Sequence, residues 1–83
     1  MTMLDIQPSA TLRRQDVVAM NTNMILSNSG LMKKDLAKAM GLSPQSMASR
    51  LQSKADWTID ETCAAADFFG VPLMALLDEN LTP

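Results

Sequence analysis

Side chains that form hydrogen bonds or carry positive charge are concentrated in the middle of the chain, between Lys33 and Lys54. The amide of Gln45 and the hydroxyls of Ser46 and Ser49 can donate and accept hydrogen bonds, while the nearby lysines can neutralise anions. The 83-residue sequence has no histidine, a single cysteine and no glycine-rich phosphate loop. Acid–base, nucleophilic and metal chemistry rely mainly on such residues. We therefore expect a binding protein without a catalytic site, metal site, cofactor or small-molecule ligand.

Charge is distributed unevenly along the sequence. All seven Lys and Arg residues lie between Arg13 and Lys54, where only Asp16 and Asp35 oppose them, so this part has a net charge of +5. Residues 55–83 carry six acidic residues and no basic one. The net charge of −2 argues against a nucleic-acid partner, but a local basic face is sufficient for such contact. The alternative is an ordinary solvated helix face.

The first half of the central stretch has the pattern of a short helix. Between Lys33 and Met40, the apolar residues Leu36 and Met40 are four positions apart and lie on one side of a helix. Gly41 follows, and glycine readily takes the positive φ at which helices often end. The pattern predicts a helix over 33–40 followed by a tight turn.

A second short helix is predicted directly after the turn. Ser43 is a good N-cap, and Pro44 suits the first helical position because its missing N–H would be unpaired there. Met47 and Leu51 then point inward, and the helix should end near Gln52. Two short helices joined by a tight turn containing glycine form a helix-turn-helix.

The sequence DLAKAMGLSPQSMASRLQSK, which begins at Asp35, is followed by WTIDE and later by AAADFFGVPLMALL. From about Val18 to Leu77, the chain resembles the Cro/repressor-type (XRE) helix-turn-helix DNA-binding family, and the motifs follow in the family's order. The resemblance implies a transcriptional regulator of double-stranded DNA, such as a phage Cro-like protein or a short immunity repressor. The recognition helix, 44–52, would enter the major groove.

The resemblance also implies which side chains contact DNA. Gln45 is the best candidate for reading a base, because its amide can pair with N6 and N7 of adenine. The implied base contacts are Gln45, Ser46, Ser49, Arg50 and Gln52, and the implied phosphate contacts are Lys33, Lys34, Ser43, Ser53 and Lys54.

Four positions depart from the family pattern. The family often has an apolar residue in place of Arg50, so the stem of Arg50 could pack inward while its guanidinium reaches guanine or phosphate. The family usually has Thr or Ser and then Gln where this chain has Met32 and Lys33, so a cap hydroxyl and an amide are missing. Lys33 can still neutralise a phosphate. The family usually has Gly in place of Ser53, and serine tolerates such a turn less well.

Another helix is predicted on the N-terminal side of the motif. It should begin near Ser9 or Thr11 and end near Asn28, with Gly30 beyond its end. Asn21 within it could serve either a structural role or a phosphate contact, and the sequence does not distinguish the two.

A capped fourth helix should follow the recognition helix. Thr58 and Glu61 have the spacing of a capping box, which predicts a helix over Ile59 to Phe69. Trp57 should act as a lid on the core. The inward stripe of this helix is predicted to comprise Ile59, Cys63, Ala66 and Phe69.

A last helix, from Pro72 to about Glu79, has more apolar residues than one stripe can hold. We expect a homodimer on DNA, because one short recognition helix reads too few bases for useful specificity. The arm at Met3–Ile6 is one candidate contact. The other candidates are Leu73, Met74, Leu77 and Leu81.

Together these patterns predict an all-α fold, a compact bundle of about five short helices with a helix-turn-helix. Residues 1–8 should form an arm or short strand, 9–80 the DNA-binding domain and 81–83 a tail. The single Cys63, the lack of a signal peptide and the lack of a long apolar run favour the cytoplasm and no membrane association. Two alternatives stay open: an antitoxin that represses its own operon, and a protein-interaction module that does not bind DNA. The acidic C-terminal half and the missing Gln are the features that support the module, whereas the lysines close to the turn and to Lys54 favour DNA.

Overall fold

The computed structural model describes residues 13–79. This part of the chain forms five α-helices and no strand, which confirms the predicted all-α fold. The predicted arm, the tail and Leu81 lie outside the described residues. The helices are α1 (Arg14–Ser29), α2 (Lys33–Met40), α3 (Pro44–Leu51), α4 (Ile59–Phe69) and α5 (Leu73–Leu77).

All five helices contribute to one apolar core. Leu36 of α2 and Leu76 of α5 are fully buried. Burying such a side chain typically contributes about 1.5–3 kcal/mol to folding. The remaining members of the core cluster are Val18, Leu26, Ala37, Met40, Met47, Leu51, Ala65 and Ala66.

The helix-turn-helix forms where the sequence predicted it. Gly41 has φ 72°, and its N–H donates to the carbonyl of Lys38 at 3.1 Å. Ser43 caps α3 by accepting a hydrogen bond from the Ser46 N–H at 3.1 Å. Met47 and Leu51 are buried, so the inward face of α3 is also as predicted.

The first helix starts later than predicted. Arg13 has an extended backbone (φ −68°, ψ 155°), so α1 begins at Arg14 and the predicted start at Ser9 or Thr11 is wrong. The guanidinium of Arg13 donates to the Asp16 carboxylate at 3.3 Å. The other end agrees with the prediction, since Gly30 follows the helix in the left-handed conformation.

Asn21 joins the first helix to the last. It is only 2% exposed, and its Nδ2 donates to the carbonyls of Leu76 at 2.8 Å and Asp78 at 2.9 Å. These bonds satisfy carbonyls that the end of a helix leaves unpaired. Of the two roles that the sequence left open for Asn21, a structural role and a phosphate contact, the buried side chain has the structural one. The backbone is extended at Asp78, so α5 ends at Leu77 and is shorter than predicted.

The fourth helix has its predicted bounds but a different inward face. Its buried residues are Thr62, Ala65 and Ala66, whereas Ile59 is 77% exposed. The prediction that Ile59 lies on the buried stripe is wrong. Cys63 and Phe69, which were predicted for the same stripe, are half-buried. Trp57 packs against the core as predicted, and its Nε1–H donates to the Arg50 carbonyl at 3.1 Å.

Candidate nucleic-acid interface

The outward face of α3 carries polar side chains that the fold does not use. Gln45, Ala48 and Gln52 are exposed and Ser49 is half-exposed. Their spacing places them on one side of the helix. Within residues 13–79, the side chains of Gln45, Ser49 and Gln52 have no hydrogen-bond partner. This face can therefore make hydrogen bonds to a ligand without breaking bonds within the described residues.

Two serines of the predicted DNA-contact set are already bonded to each other. The Ser43 Oγ donates to the Ser46 Oγ at 3.1 Å and accepts from the Ser46 N–H at the same distance. Each hydroxyl retains lone pairs for further bonds. Ser43 and Ser46 therefore cap the start of α3, and they can still form the predicted DNA contacts.

The guanidinium of Arg50 is held by an acidic residue of the next helix. Its Nε and Nη2 donate to the two carboxylate oxygens of Glu61 at 3.0 and 3.1 Å. The two side chains are only 19% and 12% exposed. A base contact by Arg50 would require this pair to open, and this DNA contact stays a prediction.

Glu61 has a second role as the capping-box residue of α4. Its Oε1 accepts from the Thr58 N–H at 3.1 Å, and the Thr58 hydroxyl accepts from the Glu61 N–H at 3.0 Å. The predicted capping box is confirmed. Hydrogen bonds from Arg50 and from the Thr58 backbone favour the carboxylate form, so the pKa of Glu61 lies below its ordinary value.

The lowered pKa of Glu61 predicts a pH-dependent contribution to stability. The folded state stabilises the ionised carboxylate of Glu61. The contribution of this carboxylate to the free energy of unfolding is therefore complete above the ordinary pKa of 4.5, and it is lost as the pH falls through the lowered pKa. We expect Glu61→Gln to lower the free energy of unfolding by about 1–2 kcal/mol at pH 7. The difference should shrink as the pH falls through the lowered pKa of Glu61. Urea titrations between pH 3 and 7 measure the difference. Asp60→Asn, in the same helical turn, controls for the loss of one negative charge. A difference independent of pH would contradict the assignment.

The lysines are the cations that remain available for a ligand. All three arginines are paired: Arg13 with Asp16, Arg14 with Glu79 at 3.5 Å, and Arg50 with Glu61. The four lysines are exposed and form no ion pair within residues 13–79. The unpaired positive charge of the basic region is therefore carried by Lys33, Lys34, Lys38 and Lys54.

Three of these lysines lie near the two ends of α3. Lys33 and Lys34 form a cleft of about 270 Å³ with Pro44, Met47 and Ala48. At the other end, the N–H of Lys54 donates to the Ser49 carbonyl at 2.9 Å. Lys33 and Lys34 therefore lie beside the first half of α3, and Lys54 follows its C-terminal end.

The turn between α3 and Lys54 is made by a serine. Ser53 has φ 60°, in the left-handed region, and its N–H donates to the Arg50 carbonyl at 3.2 Å. A residue other than glycine is uncommon there. The chain nevertheless makes the turn that the family resemblance assigns to a glycine.

The predicted dimer contacts are only partly free. Met74 is 70% exposed, whereas Leu73 and Leu77 are half-buried. Leu77 packs against the core, and its carbonyl accepts from Arg14 at 2.9 Å. Dimerisation through these residues stays a prediction.

Neither a candidate metal site nor a membrane-spanning helix is found in the part of the chain that the structure describes. No group of three or more acidic, histidine or cysteine residues could hold a metal ion there. No helix between residues 13 and 79 is long and apolar enough to cross a membrane.

Sequence reasoning missed two residues of this region. Ala48 lies in the middle of the outward face of α3, and its position three residues after Gln45 was the available signal. Glu61 was predicted as a capping residue, but its ion pair with Arg50 could not be predicted, because the two residues are far apart in the sequence.

The comparisons with known proteins support the fold. No family model matches the chain, and no curated protein is significantly similar to it. The chain is structurally similar to the crystal structure of the hypothetical transcription factor NHTF from Neisseria, with a TM-score of 0.72 and 21% sequence identity. The match covers 93% of this chain and 87% of that chain. At this identity, the similarity shows that the two proteins share a fold.

Proposed function

We propose that this protein is a sequence-specific regulator of transcription that binds double-stranded DNA with α3 in the major groove. The observation that carries the proposal is the outward face of α3, where the side chains of Gln45, Ser49 and Gln52 have no partner within residues 13–79. Two further observations support it: the exposed lysines beside the first half of α3 and after its C-terminal end, and the fold shared with a hypothetical transcription factor.

In the proposed complex, phosphate contacts position the protein and base contacts select the sequence. Lys33 and Lys34 contact one strand near the start of α3, and Lys54 contacts the backbone beyond its end. Gln45, in the first turn of α3, pairs with an adenine, and Ser49 lies one turn further along. The contact is non-covalent, and no group is transferred.

The resemblance to the Cro/repressor-type family supports a more specific role within this class. We propose a cytoplasmic Cro-like regulator or short repressor that binds a pseudo-palindromic operator as a homodimer. Two-fold symmetry would place the recognition helices about 34 Å apart. The exposed side chain of Met74 is the candidate for the centre of the dimer contact.

The proposal predicts DNA binding that weakens steeply with salt. If Lys33, Lys34 and Lys54 each neutralise one phosphate, the slope of log K against log salt should be about −3 per subunit, because each contact contributes about −0.9. Lys33→Ala should make the slope about one unit shallower on every sequence. Titrations of a duplex selected from a random pool, at several salt concentrations, measure the slope.

Lys38→Ala is the matched control for this experiment. It removes the same charge from α2, but Lys38 does not line the cleft beside α3. Its effect on the slope should therefore be smaller. An affinity indifferent to salt, or no detectable binding at low salt, would contradict the proposal. Absence of binding would favour a protein-interaction module, for which the exposed Ile59 and Met74 offer contacts.

A further inference from the structure

The first helix carries two asparagines that each hold the end of another helix. Asn21 donates to the carbonyls of Leu76 and Asp78 at the end of α5. Asn23, two positions later, is half-buried, and its Nδ2 donates to the Leu51 carbonyl at 2.9 Å. Leu51 is the last residue of α3, so Asn23 joins the first helix to the end of the proposed recognition helix.

The bond from Asn23 pairs a carbonyl that α3 itself leaves free. The last four carbonyls of an α-helix have no partner within the helix. The backbone N–H groups that follow α3 donate to three of them, the carbonyls of Ala48, Ser49 and Arg50. Within residues 13–79, the fourth carbonyl, that of Leu51, accepts its hydrogen bond from Asn23. The side chain of Asn23 therefore completes the pairing at this end of α3.

The carbonyl that Asn23 holds belongs to the peptide unit that joins Leu51 to Gln52. Gln52 is exposed, and its side chain has no hydrogen-bond partner within residues 13–79. Helix ends fray, and a frayed backbone would leave this side chain without a fixed direction. The peptide unit is planar and rigid, so a bond to its carbonyl also restrains the backbone of the residue that follows.

We propose that Asn23 is a positioning residue that orients Gln52 for a hydrogen bond to a base in the major groove. The inference rests on the proposed DNA-binding function and adds a specificity-determining residue outside α3. Both N–H bonds of the Asn23 amide are used, one for Leu51 and one for the Ala19 carbonyl at 3.0 Å. The amide has no further donor for a phosphate oxygen, so Asn23 acts through α3 and does not contact DNA itself.

Base contacts depend more strongly on this orientation than phosphate contacts do. An N–H···O hydrogen bond forms over a narrow range of about 2.7–3.2 Å between the two heavy atoms, and it weakens steeply when the angle is poor. Lys33 and Lys34 lie on α2, and their flexible side chains can still reach a phosphate when the end of α3 shifts. Loss of the Asn23 bond should therefore weaken binding to the preferred duplex much more than binding to a scrambled one.

Asn23→Ala tests the proposal through the selectivity ratio, which is the affinity for the preferred duplex divided by the affinity for a scrambled one. We expect this ratio to fall about 5-fold, the lower end of the range for losing one base contact, because Gln52 keeps its amide and loses only its fixed direction. Asn23→Asp keeps the size of the side chain and replaces both donors by acceptors. It should lower the ratio as well, since its added negative charge weakens both complexes alike and cancels in the ratio.

Asn21→Ala is the matched control. It removes the same side chain from the same helix, but Asn21 holds the end of α5 and not the end of α3. Its melting temperature should fall, and its selectivity ratio should stay unchanged at a temperature at which every variant is folded. If Asn21→Ala lowers the ratio as much as Asn23→Ala does, general loosening of the fold explains the loss and the proposal is overturned.

A double-mutant cycle identifies the side chain through which Asn23 acts. Added to Gln52→Ala, Asn23→Ala should lower the selectivity ratio no further, because the amide that it orients is already gone. Added to Gln45→Ala, in the first turn of α3, it should still lower the ratio about 5-fold. Additive losses in both pairs, or the reverse pattern, overturn the proposal.

The possible results separate this inference from the proposed function. Failure of the unchanged protein to bind any duplex overturns both. If the unchanged protein selects a preferred duplex but Gln52→Ala or Asn23→Ala leaves the selectivity ratio unchanged, the inference alone is overturned.

Discussion

Arg50→Ala should lower the free energy of unfolding by about 2–3 kcal/mol. The substitution leaves the Glu61 carboxylate, whose side chain is only 12% exposed, without its charged partner. Removing one member of a largely buried ion pair is costly because the other charge stays desolvated. In a domain of this size the melting temperature should fall by about 10–20 °C. Thermal and urea unfolding of the two proteins at pH 7 measure the change.

Two further variants test the cause of this loss. Arg13→Ala also removes an arginine from an ion pair, but this pair is largely exposed, so the melting temperature should hardly change. Arg50→Met keeps much of the packing of the side-chain stem and removes the charge. If Arg50→Met is as stable as the unchanged protein, the ion pair does not secure α3 to α4.

Gln45→Ala should lose about 1–3 kcal/mol of binding energy on the preferred duplex and much less on a scrambled one. The side chain is exposed and has no hydrogen bond within residues 13–79, so the fold should not change. The variant loses the amide that pairs with adenine, so its preference at one base pair should relax. Titrations against both duplexes, with thermal melts as the folding control, give the two losses.

Lys54→Ala is the counterpart of Gln45→Ala. It removes a proposed phosphate contact beyond the end of α3, so it should weaken binding to the preferred and the scrambled duplex to a similar extent. If Gln45→Ala weakens both duplexes equally and Lys54→Ala alters base preference, the proposed orientation of α3 is wrong.

The ends of the central helices could be predicted because they depend on neighbouring residues. The glycine at Gly41 ends α2, the hydroxyl of Ser43 caps α3, and Thr58 with Glu61 caps α4. Each of these interactions spans only a few residues, so the required residue types can be read from the sequence.

The orientation of α4 was harder to predict because the helix is rich in alanine. Residues 64–66 are three consecutive alanines, and alanine can lie on an inward or an outward face of a helix. The spacing of apolar residues therefore does not define the inward face of α4. Packing against the other helices buries Thr62 and Ala65 and leaves Ile59 at the surface. The prediction placed Ile59 on the inward face because Ile59, Cys63, Ala66 and Phe69 follow one another at helical spacing.

The exposure of the candidate DNA-contacting side chains could be predicted only for those that form no contact with distant parts of the chain. Gln45 and Lys54 are exposed as a contact role requires, and their contacts with DNA stay predictions. The partner of Arg50 could not be predicted in the same way, because Glu61 is eleven positions away and faces it only after the intervening loop has folded. An arginine on a recognition helix has the same appearance in sequence whether it contacts a base or a carboxylate.

The shared oxygen of Glu61 makes two helix ends depend on each other. Oε1 accepts hydrogen bonds from Arg50 in the last turn of α3 and from the N-cap residue Thr58 of α4. Fraying of the last turn of α3 therefore removes a bond from the carboxylate that caps the next helix. We therefore expect these two segments to open together, so that the end of the proposed recognition helix stays ordered for as long as the start of α4 does.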